Sequence, residues 1–255
     1  MKQIIKSESI FKKLLRKYCK KNTLIITGKT SFKKSGVEEI FNKFESKKLF
    51  FFFKKSYIPE IKELKKIIKL IKEIRPKNIL LIGGGAVMDL GKISNFLHNT
   101  KNLKKNILNL NYKKQKNFCP ITAVPTTAGS GAEVTSNAVI YINKKKYSVE
   151  HKEIRPKYFF LHPSLVKKNN KKLKTSSGFD AIAQAVESLI SVRSNKKSIE
   201  YSILSLKYGL KNYLEYVKKP NSLNSKNMLL AANYSGRAIN LTKTTAPHAL
   251  SYPFT

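Results

Sequence analysis

This chain of 255 residues is poor in cysteine and in acid. Its two cysteines, Cys19 and Cys119, stand a hundred residues apart, and neither belongs to a CxxC pair. Thiols so placed build neither a zinc cage nor a disulfide framework, so a reducing compartment is expected. Long apolar runs are missing as well, and no stretch approaches the ~20 residues of a membrane span. The first residues, MKQIIKSESIFKKLLRKYCKK, are basic throughout, with no apolar run and no small-residue cleavage site, unlike a secretory signal. The expectation is a soluble, cytoplasmic protein with no membrane partner.

Acidic residues number 15 against 51 basic ones, a formal net charge of +36. An imbalance of this size raises the question of a polyanionic partner. The lysines, however, are scattered, at Lys12, Lys13, Lys65, Lys66, Lys144 to Lys146, Lys171 and Lys172, and they outnumber arginine, the better fork for phosphates and bases. They read as a solvated surface, with no specific nucleic-acid partner. The composition is 41% hydrophobic and 10% aromatic, which is that of a folded chain.

Strand and helix signals alternate in the first part. TLIIT reads as a buried strand that breaks at Gly28, with a helix from about Ser35. KLFFFFKK (48–55) reads as a strand covered on both faces. PEIKELKKIIKLIKEI (59–74) has a helical period opened by Pro59 and closed before Pro76. NILLIGGG (78–85) is a further buried strand leading into a helix. The lysine-rich piece 101–116 reads as an exposed loop, and YFFLH as a strand. This alternation predicts βαβ units and a parallel sheet. From Ser164 the periods are all helical, so the expected organisation is an α/β domain over 1–163 and a helical domain over 164–255.

Four stretches carry chemistry. Gly83, Gly84 and Gly85 follow a strand and precede a helix, where backbone N–H groups can approach a pyrophosphate; a tight turn alone would also use them. Asp89 and Lys92 follow on one helical face, as a plain ion pair would. Thr126, Thr127, Ser130 and Thr135 set hydroxyls around Gly129 and Gly131, suited to a phosphate or to an ST-turn. In GFDAIAQAVES, Asp180 and Gln184 are four apart on one helix face, half of a metal site with a weak second donor. Near the end, Arg237, Lys243, Thr244 and Thr245 precede His248 and Tyr252, a set that could grip an anion.

The order GGGAVMDLGK, PTTAGSGAEVT, LHPSL, GFDAIAQAVES and SGRAIN…PHALSYP resembles the iron-containing (group III) alcohol dehydrogenase family, from about Thr23 onward. The resemblance implies a dinucleotide-binding α/β domain, a longer all-helical domain than 164–255, and an active site in the cleft between them. It implies that Gly83, Gly84, Gly85, Asp89, Thr126, Thr127 and Ser130 line the cofactor. Gly28 stands where NAD-using members carry an Asp. With that charge absent and Lys29, Ser31 and Lys33 nearby, the cofactor expectation leans to NADPH, with NADH as the other candidate. The resemblance implies Asp180, Gln184 and His248 as ligands of Fe2+ or Zn2+, with a last histidine falling beyond Thr255. His248 and Tyr252 take catalytic places, and Arg237, Lys243, Thr244 and Thr245 substrate-binding ones. The expected reaction is reduction of a small aldehyde. DAIAQAVES with KTTAPHALSYP looks most like the phosphonoacetaldehyde reductase branch. A general alcohol or butanol dehydrogenase, and an inactive nucleotide-binding remnant, stay open beside it. A homodimer is the oligomeric expectation.

Overall fold

The computed structural model describes residues 2–5, 8–44, 46–112 and 116–251. Its centre is a six-stranded sheet, all of whose pairings are parallel. The strands are β1 (Lys2–Ile5), β2 (Thr23–Gly28), β3 (Leu49–Lys54), β4 (Asn78–Gly83), β5 (Ile121–Pro125) and β8 (Tyr158–Leu161), in the spatial order β1-β8-β5-β4-β2-β3. β6 (Asn137–Ile142) and β7 (Lys145–Glu150) form a separate antiparallel hairpin. Among the described residues, no helix is long and apolar enough to cross a membrane.

Alternate side chains of each central strand feed opposite layers, as the pleat requires. Leu24, Ile26, Ile79 and Leu81 face one layer, built on α4 (Ile61–Ile74) and α5 (Gly85–Phe96). Ile25, Leu80, Ile82 and Val124 face the other, built on α1 (Glu8–Tyr18), α2 (Lys29–Lys34) and α3 (Val37–Phe41). α4 shows why such helices form. Leu64, Ile67, Ile68 and Ile71 make one apolar stripe that is buried to its last residue, each worth about 1.5–3 kcal/mol, and Arg75-Pro76 ends the run.

The register sets the carboxyl ends of the strands level, Gly28 opposite Lys54 and Gly83 opposite Pro125. From the adjacent strands β2 and β4, α2 leaves toward one face and α5 toward the other. The strand order reverses at these carboxyl ends, the place where open α/β sheets bind ligands.

Three sequence expectations are corrected here. The Phe run is an edge strand, β3, paired only with β2 among the described residues, and Phe51 and Phe53 are 36% and 39% exposed. The helix after Gly28 begins at Lys29, since Gly28 itself is its N-cap. The piece 101–116 contains a helix, α6 (Leu103–Leu108), pinned by buried Leu103 and Ile107. Beyond these, residues 2–5 form a strand, β1, on which the sequence reading made no statement, paired with β8.

From Pro163 the described chain is helical: α7 (Pro163–Lys167), α8 (Lys171–Ile190), α9 (Lys196–Lys218), α10 (Ser222–Thr242) and α11 (Ala246–Ser251). Asn195 and Asn221 each accept two backbone N–H groups in a capping box, which sets the starts of α9 and α10. α10 is the inner helix and meets the β5–β6 loop without side chains between. A Cβ on Gly131, whose φ is +57°, would lie 2.5 Å from the Ala232 carbonyl oxygen and 2.6 Å from the Gly236 Cα. Glycine is needed there both for its backbone angle and for the approach.

Candidate active site

The glycine turn and the threonine loop meet. Thr126 N–H donates to the Gly83 carbonyl at 3.0 Å. A Cβ on Gly84 would stand 3.2 Å from Thr127 Oγ1, and one on Gly85 would stand 3.1 Å from Ser130 Oγ. The two hydroxyls thus overlie the start of α5, which has no side-chain cap and no acid in its first turn. An uncapped helix start under two hydroxyls can take an anion. Thr126 itself is buried, and its carbonyl accepts from Asn169 at 2.7 Å, so it holds the loop down.

Gly28 adopts φ −89°, which any residue can. What glycine supplies is therefore space, not backbone freedom. Ser31 Oγ donates back to the Gly28 carbonyl at 3.1 Å, and Lys29 and Lys33 are exposed on a helix with no acid in its first turn.

Asp89 and Lys92 are not a plain helix ion pair. Lys92, fully buried, donates to the carbonyls of Ala132 (3.0 Å) and Asn137 (2.6 Å) and to Thr135 Oγ1 (3.0 Å). Burial pulls its ammonium down to about 8. Asp89 accepts the Val139 N–H, and burial pushes its carboxyl up to about 6, against the pull of Lys92. Together they staple the β5–β6 connection to α5. Thr135, read as a hydroxyl suited to a phosphate or to an ST-turn, spends its oxygen on Lys92 and the Asn137 carbonyl.

A second cluster forms on α8. Asp180 Oδ1 lies 3.2 Å from His248 Nε2, and Gln184 Nε2 donates to Asp180 Oδ2 at 3.0 Å. His248 Nδ1 pairs with Glu187 Oε1. The other Glu187 oxygen accepts the Thr245 N–H (2.6 Å) and hydroxyl (2.9 Å). Asp180 first, then Glu187, raises His248 to about 9 against the opposing effect of burial. Burial alone would raise Glu187, but the hydrogen bonds from His248 and Thr245 outweigh it and hold the carboxyl below its usual range.

This donor set fits one edge of a divalent metal site. Two ligands bound at about 2.1 Å to one ion stand about 3.0–3.4 Å apart, and Asp180 Oδ1 and His248 Nε2 are 3.2 Å apart. A carboxylate on the far imidazole nitrogen is the usual support of a metal-bound histidine. Among the described residues no third His, Cys, Asp or Glu completes a cage. Gln184, expected as a ligand, presents its N–H to Asp180 and its oxygen to Ser235 Oγ at 3.2 Å, so it positions Asp180 instead.

The expected anion grip does not assemble. Arg237 Nε donates to Asn233 Oδ1 at 2.9 Å, beside Glu133, and its guanidinium sits over the Phe159, Tyr201 and Tyr234 rings. Lys243 is ion-paired with Glu150 of the hairpin. Lys243 found its partner when the two halves packed, and Arg237 found one four residues back on its own helix. Thr245 is committed to Glu187, and Thr244 is partly buried beside it. Tyr252 lies outside the described residues.

Three residues were not anticipated. Glu187 lies seven after Asp180 on the same face, a spacing visible in GFDAIAQAVES. Ser235 and Lys146 gave no local signal. Lys146, on β7, is partly buried and carries its charge within reach of both Asp89 and Asp180, so it connects the two clusters electrostatically.

Comparison with known proteins adds the following. Residues 4–163 match the family model described as iron-containing alcohol dehydrogenase. The chain is 28% identical over 200 residues to a 4-hydroxybutyrate dehydrogenase of Clostridium kluyveri, covering 76% of this chain and 53% of that protein. It is 33% identical over 139 residues to a phosphonoacetaldehyde reductase of Streptomyces viridochromogenes, covering 53% of this chain and 35% of that one. The chain thus spans about half the length, or less, of these curated relatives. An iron-containing alcohol dehydrogenase of Thermotoga maritima superposes on all of it with a TM-score of 0.85 and 26% identity, 72% of that structure being covered.

Proposed function

The chain belongs to the iron-containing alcohol dehydrogenase family, and we propose that it serves the NADPH-dependent, metal-assisted reduction of a small aldehyde to its alcohol. One observation carries the reading. The loop 126–131 that covers the Gly83–Gly85 turn is the same loop that packs, through Gly131, on α10 beside Ser235 and the Asp180–His248 cluster. A cofactor laid over the turn would therefore reach toward that cluster. Residues 1–163 form the cofactor half and 164–255 the metal and substrate half.

Each residue has a task in this reading. Gly83, Gly84 and Gly85 admit the pyrophosphate, and Thr127 and Ser130 donate to it. Gly28 leaves room for a 2′-phosphate, with Lys29 and Lys33 at hand. Asp180 and His248 would hold the metal, Glu187 fixes the imidazole so that Nε2 faces Asp180, and Gln184 fixes Asp180. When bound, Fe2+ or Zn2+ supplies a Lewis acid that polarises the aldehyde carbonyl.

The substrate class we favour is a small aldehyde with an anionic end. The names of two relatives, one a phosphonate aldehyde reductase and one a hydroxybutyrate dehydrogenase, share that feature. Phosphonoacetaldehyde is the first candidate, although Arg237 and Lys243 do not present themselves to it. The test is NADPH oxidation with phosphonoacetaldehyde, 4-oxobutanoate and butanal, with and without added Fe2+ or Zn2+. Metal-dependent turnover of the anionic aldehydes above butanal is expected. Preference for butanal would favour a general alcohol dehydrogenase. No turnover with any of them, alongside NADPH binding, would leave a nucleotide-binding module.

A further inference from the structure

Lys243 holds a backbone conformation that its residue type disfavours. At φ +67° and ψ 173° it occupies a region that is in practice glycine's. The residue stands where α10 ends and the chain turns toward α11, five residues before His248. A conformation of this kind persists only where its surroundings impose it.

On the α8 side, hydrogen bonds impose it. The Thr242 hydroxyl donates to Ser188 Oγ at 3.0 Å, and Ser191 Oγ donates to the Thr242 carbonyl at 3.4 Å. Glu187 takes the Thr245 N–H and hydroxyl. Toward the cofactor half, the Ser136 N–H donates to Asn240 Oδ1 at 2.6 Å, and the Lys243 ammonium is paired with Glu150 at the end of β7. A cavity of about 610 Å³ opens beside that pair, lined by Tyr112, Ser148 and His151 among others, so packed side chains do not brace Lys243 from there. Glycine would adopt these angles without strain, yet it has no charge to reach the hairpin. The side chain that brings the strain is also the one that ties the junction to β7.

We propose that Glu150 and Lys243 form a latch by which the hairpin of the cofactor half positions α11, so that His248 is held against Asp180. Both are positioning residues, acting on His248 through the backbone of residues 243–248. The consequence for a metal rests on the proposed function, which takes Asp180 and His248 as ligands; the placement of α11 does not.

The test reads hydrogen exchange at the Thr245 amide in the metal-free full chain. Glu150→Gln and Lys243→Met break the pair and keep the strain, and each should speed exchange about two- to fivefold, as a half-exposed ion pair allows. Lys243→Gly breaks the pair but removes the strain, and should exchange at least about fivefold more slowly than Lys243→Met. Glu150→Lys combined with Lys243→Glu should restore the wild-type rate to within about twofold. Affinity for Co2+, from d–d absorption in a chelator competition, should fall in Glu150→Gln and Lys243→Met and return in the charge-swapped protein. Exchange that ignores Glu150→Gln, or that is the same in Lys243→Met and Lys243→Gly, overturns the inference. So does a constant Co2+ affinity while exchange responds, since α11 would then move without moving the site. A wild-type chain that binds no Co2+, with exchange responding as stated, overturns the metal reading and supports the latch.

Discussion

Glu187 and His248, sixty-one residues apart in sequence, are joined through the imidazole Nδ1, and the bond leaves Nε2 facing Asp180. That pairing turns a solitary histidine into an oriented donor. A neutral imidazole offers one nitrogen as acceptor or ligand, and the carboxylate on the other nitrogen decides which.

Glu187→Gln removes the charge on Nδ1 while keeping the side chain's size. Affinity of the chain for Co2+, read from its d–d absorption in a chelator competition, should fall by about 10- to 100-fold. Unchanged affinity would show that His248 needs no such support.

Gly131→Ala tests how the two halves are joined. The added methyl would meet the Ala232 carbonyl and Gly236 at a backbone angle of +57°. Strain and overpacking together should cost about 3 kcal/mol. A urea midpoint equal to that of wild type would mean that loop and helix can separate freely.

Asp89→Asn tests the staple through pH. An acid whose native pKa is raised contributes stability that is complete below its unfolded value and is lost as the pH rises through the native one. For Asp89 those values are 3.8 and about 6. The stability of wild type relative to Asp89→Asn should therefore be highest near the lower value and decline toward neutrality. Urea titrations of both proteins across that range check it; a difference that rises with pH contradicts the assignment.

Gly28→Asp should reverse the cofactor leaning. Its Cβ meets only the Ser31 hydroxyl, at 2.8 Å, the far end of a side chain that can rotate. The new carboxylate would repel a 2′-phosphate and accept from a ribose hydroxyl. The ratio of NADPH to NADH dissociation constants, by fluorescence titration, should shift at least about tenfold toward NADH. A ratio that stays put would remove Gly28 from the cofactor site.

Local pattern accounts for much of the fold. The buried strands at 23–28 and 78–83, the α4 stripe and the helical run after Pro163 are all visible as periodicity, because each element buries one face or both. The Phe run misled because a continuous apolar stretch does not say whether its strand is central or at an edge. Position in a sheet is decided by which strand pairs on the other side, and β3 has β2 alone among the described residues. In the site, the glycine turn and Asp180 were legible from spacing along a single element. The partner of Lys243 was not, since Glu150 reaches it only after the halves pack, whereas Asn233 stands four residues before Arg237 on the same helix.

The sequence by itself determined the elements, their order, the glycines at the end of β4 and the shared face of Asp180, Gln184 and Glu187. These depend on contacts within a few residues, where helix and strand periods dictate geometry. Only the tertiary structure decided that His248 closes on both Asp180 and Glu187, that Ser235 takes the Gln184 oxygen, and that Lys92 is spent on loop carbonyls. Those outcomes depend on groups forty to seventy residues apart coming together out of water, where a hydrogen-bonding group must find a partner and takes the one that packing supplies.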